Sequence, residues 1–128
     1  MSGRLGLAVG SQHYTLGFHN TATLGTIAAA AACARLVHAT ERQTAVILGI
    51  AATQSAGLRA QFGSDVKPLH AGLAAQTAVI ATQLTLAGFH GQPDNVLDSF
   101  LSTYCAGQRS RKNLSQAGRA VADYLARS

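Results

Sequence analysis

Apolar and polar positions along the chain repeat with helical rather than strand spacing. Strict alternation of Val, Ile or Thr with polar residues is rare, and no Asn-Gly or Asp-Gly hairpin turn occurs. Residues 1–20 carry four glycines, Gly3, Gly6, Gly10 and Gly17, and read as a loop or a broken helix. From Thr21 to His38 the pattern predicts an alanine-rich helix. Alanine has the best helix propensity, and Leu24, Ile27, Ala31, Ala34 and Leu36 give it a thin, tightly packable body. Thr40-Glu-Arg-Gln43 is a capping box, in which the Thr40 hydroxyl accepts from the third backbone N–H while Gln43 reaches back. It predicts a helix running to about Ser55 that buries Ile47, Leu48, Ile50 and Ala51, with Gly57 as its stop.

Residues 57–66 read as a loop. Lys67-Pro68 opens the next helix, because proline suits the first helical position, where its missing N–H has no intrahelical partner to lose. Leu69, Leu73, Thr77, Ile80 and Leu84 then fall on one helical face, and Gly88 ends the element. Asp94 caps a helix from Asn95 to about Cys105. Residues 107–114 form a polar, basic linker, and a short helix from about Ser115 to Ala126 follows. The expected architecture is an all-α bundle of about five helices without an internal repeat.

Composition sharpens this picture. Of the 128 residues 48% are hydrophobic, 12% charged and 5% aromatic, and alanine alone contributes 25. The charged share is about half that of a typical soluble domain, and the apolar content lies in small side chains suited to close helix–helix contact. Disorder, a collagen-like repeat and a disulfide scaffold are excluded. The length fits one domain, and the poverty of charge resembles the interior of something larger. The net charge of +5 is uneven: Arg109, Arg111, Lys112, Arg119 and Arg127 supply half of the basic groups, so an electrostatic case for nucleic acid shrinks to one tail. That tail lacks interleaved aromatics and a helix-turn-helix pattern, and nucleic acid is not an expected partner. Cys33 and Cys105 have neither metal nor redox spacing and read as reduced thiols. No secretory signal and no membrane-length apolar run is present, so neither export nor membrane attachment is expected and the expected location is cytoplasmic.

Five histidines are many for this length, yet no metal-ligand spacing accompanies them and acids are few, so no metal site is expected. No phosphate-binding glycine loop supports a nucleotide. Polar groups at helix starts are the chemical signal. His19 precedes the alanine helix, whose N-terminal N–H groups and dipole favour an anion. Lys67 opens a second helix, with His70 three residues on and on the same face. Two helix starts, a lysine and two histidines with almost no acid nearby suit a polycarboxylate.

Four motifs in order carry a resemblance: Gly17-Phe-His19-Asn-Thr21-Ala-Thr-Leu-Gly25, then Leu48-Gly-Ile-Ala-Ala-Thr-Gln54-Ser-Ala-Gly57-Leu58, then Lys67-Pro-Leu-His70-Ala-Gly-Leu-Ala-Ala75, then Ala87-Gly-Phe89. Over roughly residues 3–97 the chain resembles the MmgE/PrpD family, which includes 2-methylcitrate dehydratase, cis-aconitate decarboxylase and iminodisuccinate epimerase. The resemblance implies a helical domain paired with a smaller α+β lid. It also implies cofactor-free proton chemistry beside a carboxylate: dehydration, decarboxylation or epimerisation of small di- and tricarboxylic acids. His19 matches the family histidine of proton transfer or substrate contact, and Lys67 the lysine taken to bind a substrate carboxylate. His70 matches the histidine of the same lysine motif. His13, with Tyr14, sits in a stretch that also looks like the family's. His13, His70, Thr21 and Gln54 are the expected substrate-binding residues.

Against family length, residues 1–107 are expected to be a partial helical domain and 108–128 to lie outside the resemblance. A partner would then be another copy of the chain or a chain bearing the lid, and the polypeptide alone is expected to have little or no lyase activity. A competing expectation is a non-catalytic helical remnant that oligomerises through its apolar faces.

Overall fold

The computed structural model describes residues 2–104, and these fold as five α-helices and one short 3-10 turn. The helices are α1 (Ser2–Thr15), α2 (Asn20–Leu36), α3 (Glu41–Thr53), α4 (Val66–Leu86) and α5 (Val96–Tyr104), and the 3-10 turn spans Arg59–Gln61 between α3 and α4. Among the described residues the only extended pairing is an isolated antiparallel bridge between Phe18 and Leu58. The all-α expectation holds. The expected basic linker, the helix at Ser115–Ala126 and the thiol of Cys105 lie outside the described residues.

Residues 1–20 prove more helical than their glycines predict. α1 runs to Thr15, broken at Gly10, whose φ of 71° lies in the left-handed region that glycine enters without a Cβ clash. Its Leu5 and Val9 join the core. α2 starts at Asn20 with His19 as its N-cap residue. α3 opens with the complete capping box: Gln43 N–H donates to Thr40 Oγ1 at 3.2 Å, and Thr40 N–H donates to Gln43 Oε1 at 2.9 Å. It closes at Gln54, not at Gly57, which serves a different purpose below. α4 begins at Val66, so Pro68 is its third residue rather than its first; the first-turn N–H groups lack intrahelical partners in any case, and the position costs no hydrogen bond. α5 starts at Val96, directly after Asn95 at a φ of 61°.

The alanines decide the packing. α2 and α4 make the most extensive contact in the fold, and each turns small residues to the core: Ala22, Ala30, Ala31 and Ala34 from α2, and Ala74, Ala78 and Ala81 from α4. Short side chains let two helices approach closely, and the area each removes from water is small, so many such contacts share the work. Larger core groups come from the other elements: Leu5, Ile47, Leu48, Phe100 and Leu101 join Leu24 and Ile27. Besides Thr23, four buried threonines could have left orphaned hydroxyls in this core. Instead each bonds the carbonyl four residues back, as in Thr26 to Ala22 at 2.6 Å, Thr82 to Ala78 at 2.9 Å, Thr85 to Ala81 at 2.9 Å and Thr44 to Thr40 at 2.9 Å. The larger apolar residues of α4 point the other way: Leu69, Leu73, Ile80 and Leu84 remain 36–51% exposed.

Candidate active site

Gly57 fixes one end of the α2–α4 seam. Its φ is 147°, its carbonyl accepts the His19 N–H at 3.0 Å, and a Cβ placed there would collide with Ala22 Cβ and press on His70 Cε1 at 3.4 Å. The Phe18–Leu58 bridge continues this contact, with Arg59 N–H donating to the Gly17 carbonyl at 2.8 Å. The segment after α3 is thereby held against the turn before α2. This close approach brings together two residues 51 positions apart.

His19 Nδ1 lies 2.9 Å from His70 Nδ1, with His19 8% and His70 7% exposed. A neutral imidazole has one donor and one acceptor nitrogen, so this contact requires one hydrogen between the two Nδ1 atoms. The His19 side chain makes no cap bond to α2, while its carbonyl accepts from the N–H groups of Ala22 and Thr23. Phe62 stands edge-on to His19, with ring centres 4.8 Å apart. Lys67 Nζ lies over the Phe62 ring, 4.9 Å from its centre. Lys67 itself is exposed, so its ammonium remains hydrated. Burial holds the His19 pKa below the usual histidine value, and the neighbouring His70 and Lys67 lower it further by opposing a second positive charge.

His13 lies fully buried behind this pair rather than beside it. Its Nδ1–H faces the Tyr104 carbonyl at 3.3 Å, which leaves Nε2 to accept from the Thr23 hydroxyl at 2.7 Å. Thr23 Oγ1 is also 3.3 Å from the His19 carbonyl oxygen. The His13 ring stacks on Phe18 at 4.7 Å with the planes 7° apart, and Tyr104 packs against Phe18 at 4.9 Å while its hydroxyl donates to the Ser55 carbonyl at 2.7 Å. His13, Phe18 and Tyr104 thus tie α1, α5 and the end of α3 into a backing for His19. Burial lowers the His13 pKa, partly opposed by the bond to Tyr104.

The structure therefore brings His19, His70 and Lys67 to one end of the α2–α4 seam and sets His13 behind it. Thr21 is exposed in the first turn of α2, and Gln54 is exposed at the C-cap of α3, three residues before Gly57. Among the described residues neither bonds to the histidine pair, which is bridged directly. Arg59 and Phe62, which no motif marks as site residues, also border the site, as does Tyr14. An open cavity of about 560 Å³ is lined by Tyr14, Gly17, Leu58, Arg59, Ala60 and Phe62. The Arg59 guanidinium carbon stands 4.0 Å from the centre of the Tyr14 ring, and its Nε is buried without a hydrogen-bond partner among the described residues. The signal available in the sequence was an arginine and an aromatic within the ten-residue loop before Lys67. Among the described residues no group of three His, Cys, Asp or Glu side chains is arranged to hold a metal ion, and no helix is long and apolar enough to cross a membrane.

The described residues form an all-helical domain that pairs two buried imidazoles at one end of the α2–α4 seam, with an exposed lysine over the neighbouring Phe62 ring. The family model of the MmgE/PrpD N-terminal domain matches residues 1–113, and the chain belongs to the MmgE/PrpD family. No curated protein matches it.

Proposed function

We propose that this chain forms the His19–Lys67 part of a site that moves a proton on a small di- or tricarboxylic acid. The observation that carries the reading is the buried His19–His70 pair with Lys67 beside it, separated from solvent on one side by Phe62. A lowered pKa keeps His19 neutral near physiological pH, which a general base requires. Removing the proton from a carbon beside a carboxylate sends the C–H electron pair into the carboxylate and builds enediolate charge. Lys67 is the group that pairs with the carboxylate and with that charge. Arg59, oriented on Tyr14 at the neighbouring cavity, offers a second cation to a second carboxylate. The common first step serves dehydration and epimerisation alike, and the family's decarboxylases act on the same class of acid.

Citrate serves as the probe. Calorimetric titration is expected to give binding that weakens about tenfold in Lys67→Ala, the equivalent of about 1.4 kcal/mol. Absence of citrate binding, or binding indifferent to Lys67→Ala, overturns the substrate class. Because Lys67 is exposed, water screens its charge, and turnover of cis-aconitate or 2-methylcitrate by this chain alone is expected to be low or undetectable. Efficient turnover by the purified chain overturns that expectation.

One observation favours a second reading, in which the chain acts by self-association. The apolar residues Leu69, Leu73, Ile80 and Leu84 of α4 are exposed, and beyond Lys67 that helix carries no charged residue. Two copies can meet along this face without bringing like charges together, which commits the reading to a second copy of the chain as the occupant. A molecular mass that rises with concentration in sedimentation equilibrium supports it, and a monomer at all concentrations rejects it.

A further inference from the structure

Sequence and resemblance leave His70 as one of several substrate-contacting candidates. Its geometry gives it a more specific role. His70 Nδ1 is spent on His19, 2.9 Å away, and both rings are more than nine-tenths buried. On its other side there is little spare room, since a Cβ added at Gly57 would stand 3.4 Å from its Cε1 and 3.5 Å from its Nδ1. Neither His19 Nε2 nor His70 Nε2 takes a hydrogen bond from the described residues, so each ring has one committed and one uncommitted nitrogen.

We propose that His70 is a positioning residue: as a lone-pair acceptor at Nδ1 it holds His19 in the Nδ1–H tautomer, which turns a bare Nε2 toward the carboxylic acid as the base. This inference rests on the proton-transfer reading above. Its chemistry follows from counting hydrogens. Two Nδ1–H groups cannot face each other at 2.9 Å, so the bridge holds one hydrogen. With that hydrogen on His19, His70 carries its own hydrogen on Nε2 and both rings are neutral. When His19 Nε2 takes a proton from substrate carbon, the C–H bond breaks, its electron pair remains on the substrate, and the pair gains one positive charge. The bridging hydrogen then sits on either ring with no other proton moving, so the charge is shared. A second proton would force two N–H groups together and is resisted.

The surrounding groups favour a single protonation. Lys67 on α4 and Arg59 on the 3-10 turn are the cations on this side, Asp65 stands exposed at the N-cap of α4, and from α1 His13 is separated from the pair by Thr23. α2 contributes His19 itself, with Thr23 behind it.

The test reads tautomers directly on the full chain labelled with ¹⁵N-histidine. In long-range ¹H–¹⁵N spectra near neutral pH, His19 is expected to show a protonated Nδ1 and an unprotonated Nε2, and His70 the reverse. His70→Asn, whose side-chain oxygen also accepts, is expected to keep His19 in the same tautomer. His70→Ala removes the acceptor and is expected to shift His19 toward Nε2–H. Finding Nε2–H on His19 in the unmodified chain overturns the proposal, as does a tautomer unchanged by His70→Ala. If His70→Ala fails to fold, the unmodified chain and His70→Asn still decide it. Citrate titration separates the two readings: the expected tautomers without citrate binding sink the carboxylate function alone, whereas binding with the wrong tautomer sinks the role of His70 alone.

Discussion

Gly57 is the residue on which the site's geometry turns. The sequence made it a helix stop, but α3 has already ended at Gln54, and the glycine is needed because Ala22 occupies the space of its Cβ. Its carbonyl also fixes the His19 backbone, and a Cβ added to it would stand 3.4 Å from His70 Cε1. Gly57→Ala is expected to destabilise the chain by about 1–3 kcal/mol, measured by urea unfolding, and to broaden or shift the His19 and His70 resonances. Retention of both stability and those resonances would show that the seam accommodates a methyl group there. The buried histidines make a second prediction at this scale. His13 and His19 have folded-state pKa values below 6.5, so above that pH they are neutral in both states and add no pH dependence. As pH falls through 6.5 the unfolded chain takes up protons that the folded chain resists, and stability falls. The thermal midpoint is therefore expected to drop between about pH 7.5 and about pH 5.5, and His13→Asn to flatten that slope. A midpoint independent of pH over this interval refutes it.

At the scale of the element, the α2–α4 seam owes its character to alanine. Ala78 and Ala81 are wholly buried, and apart from the His70 ring no large side chain of α4 is buried. Ala78→Leu adds volume at a wholly buried position and is expected to cost about 1–3 kcal/mol in urea unfolding. An unchanged unfolding midpoint would mean that the helices are not in close contact. The same element shows what a periodic pattern leaves undecided. Leu69, Leu73, Ile80 and Leu84 were correctly legible as one face, yet Ala74, Ala78 and Ala81 form the core-facing side. Both faces repeat with helical spacing, and hydrophobicity alone favours the leucines. What selects the alanine face is the closeness of α2, which admits only small side chains, together with His70, whose ring must reach His19 from that side. The capping box of α3 was legible because a cap is local: four consecutive residues contain both of its hydrogen bonds.

Across the whole molecule, the exposed leucine face of α4 and the low charge of the chain belong together. A helix with large apolar groups outward and no charge beyond Lys67 invites cover. The double substitution Leu73→Glu with Ile80→Glu places like charges on that face and touches no core contact of α4. It is expected to reduce concentration-dependent mass in sedimentation equilibrium without lowering the thermal midpoint of the monomer. An unchanged mass–concentration profile would move self-association to another surface. The histidine pair lies on the buried side of the same helix, so the two properties are separable by mutation.

The sequence by itself determined the helical class, most helix starts and the family, because helical periodicity, caps and short ordered motifs are local properties. It also singled out His19, Lys67 and His70, since their motifs are contiguous. It gave no means of knowing that His19 and His70 meet through their Nδ1 atoms, that His13 stands behind rather than beside them, or that Phe62 and Arg59 border the site. Those facts depend on the approach of segments 51 positions apart for His19 and His70 and 91 apart for His13 and Tyr104. Only the packed α2–α4 seam, closed over Gly57, decides that approach, because excluded volume acts between residues that are neighbours in space and strangers in sequence.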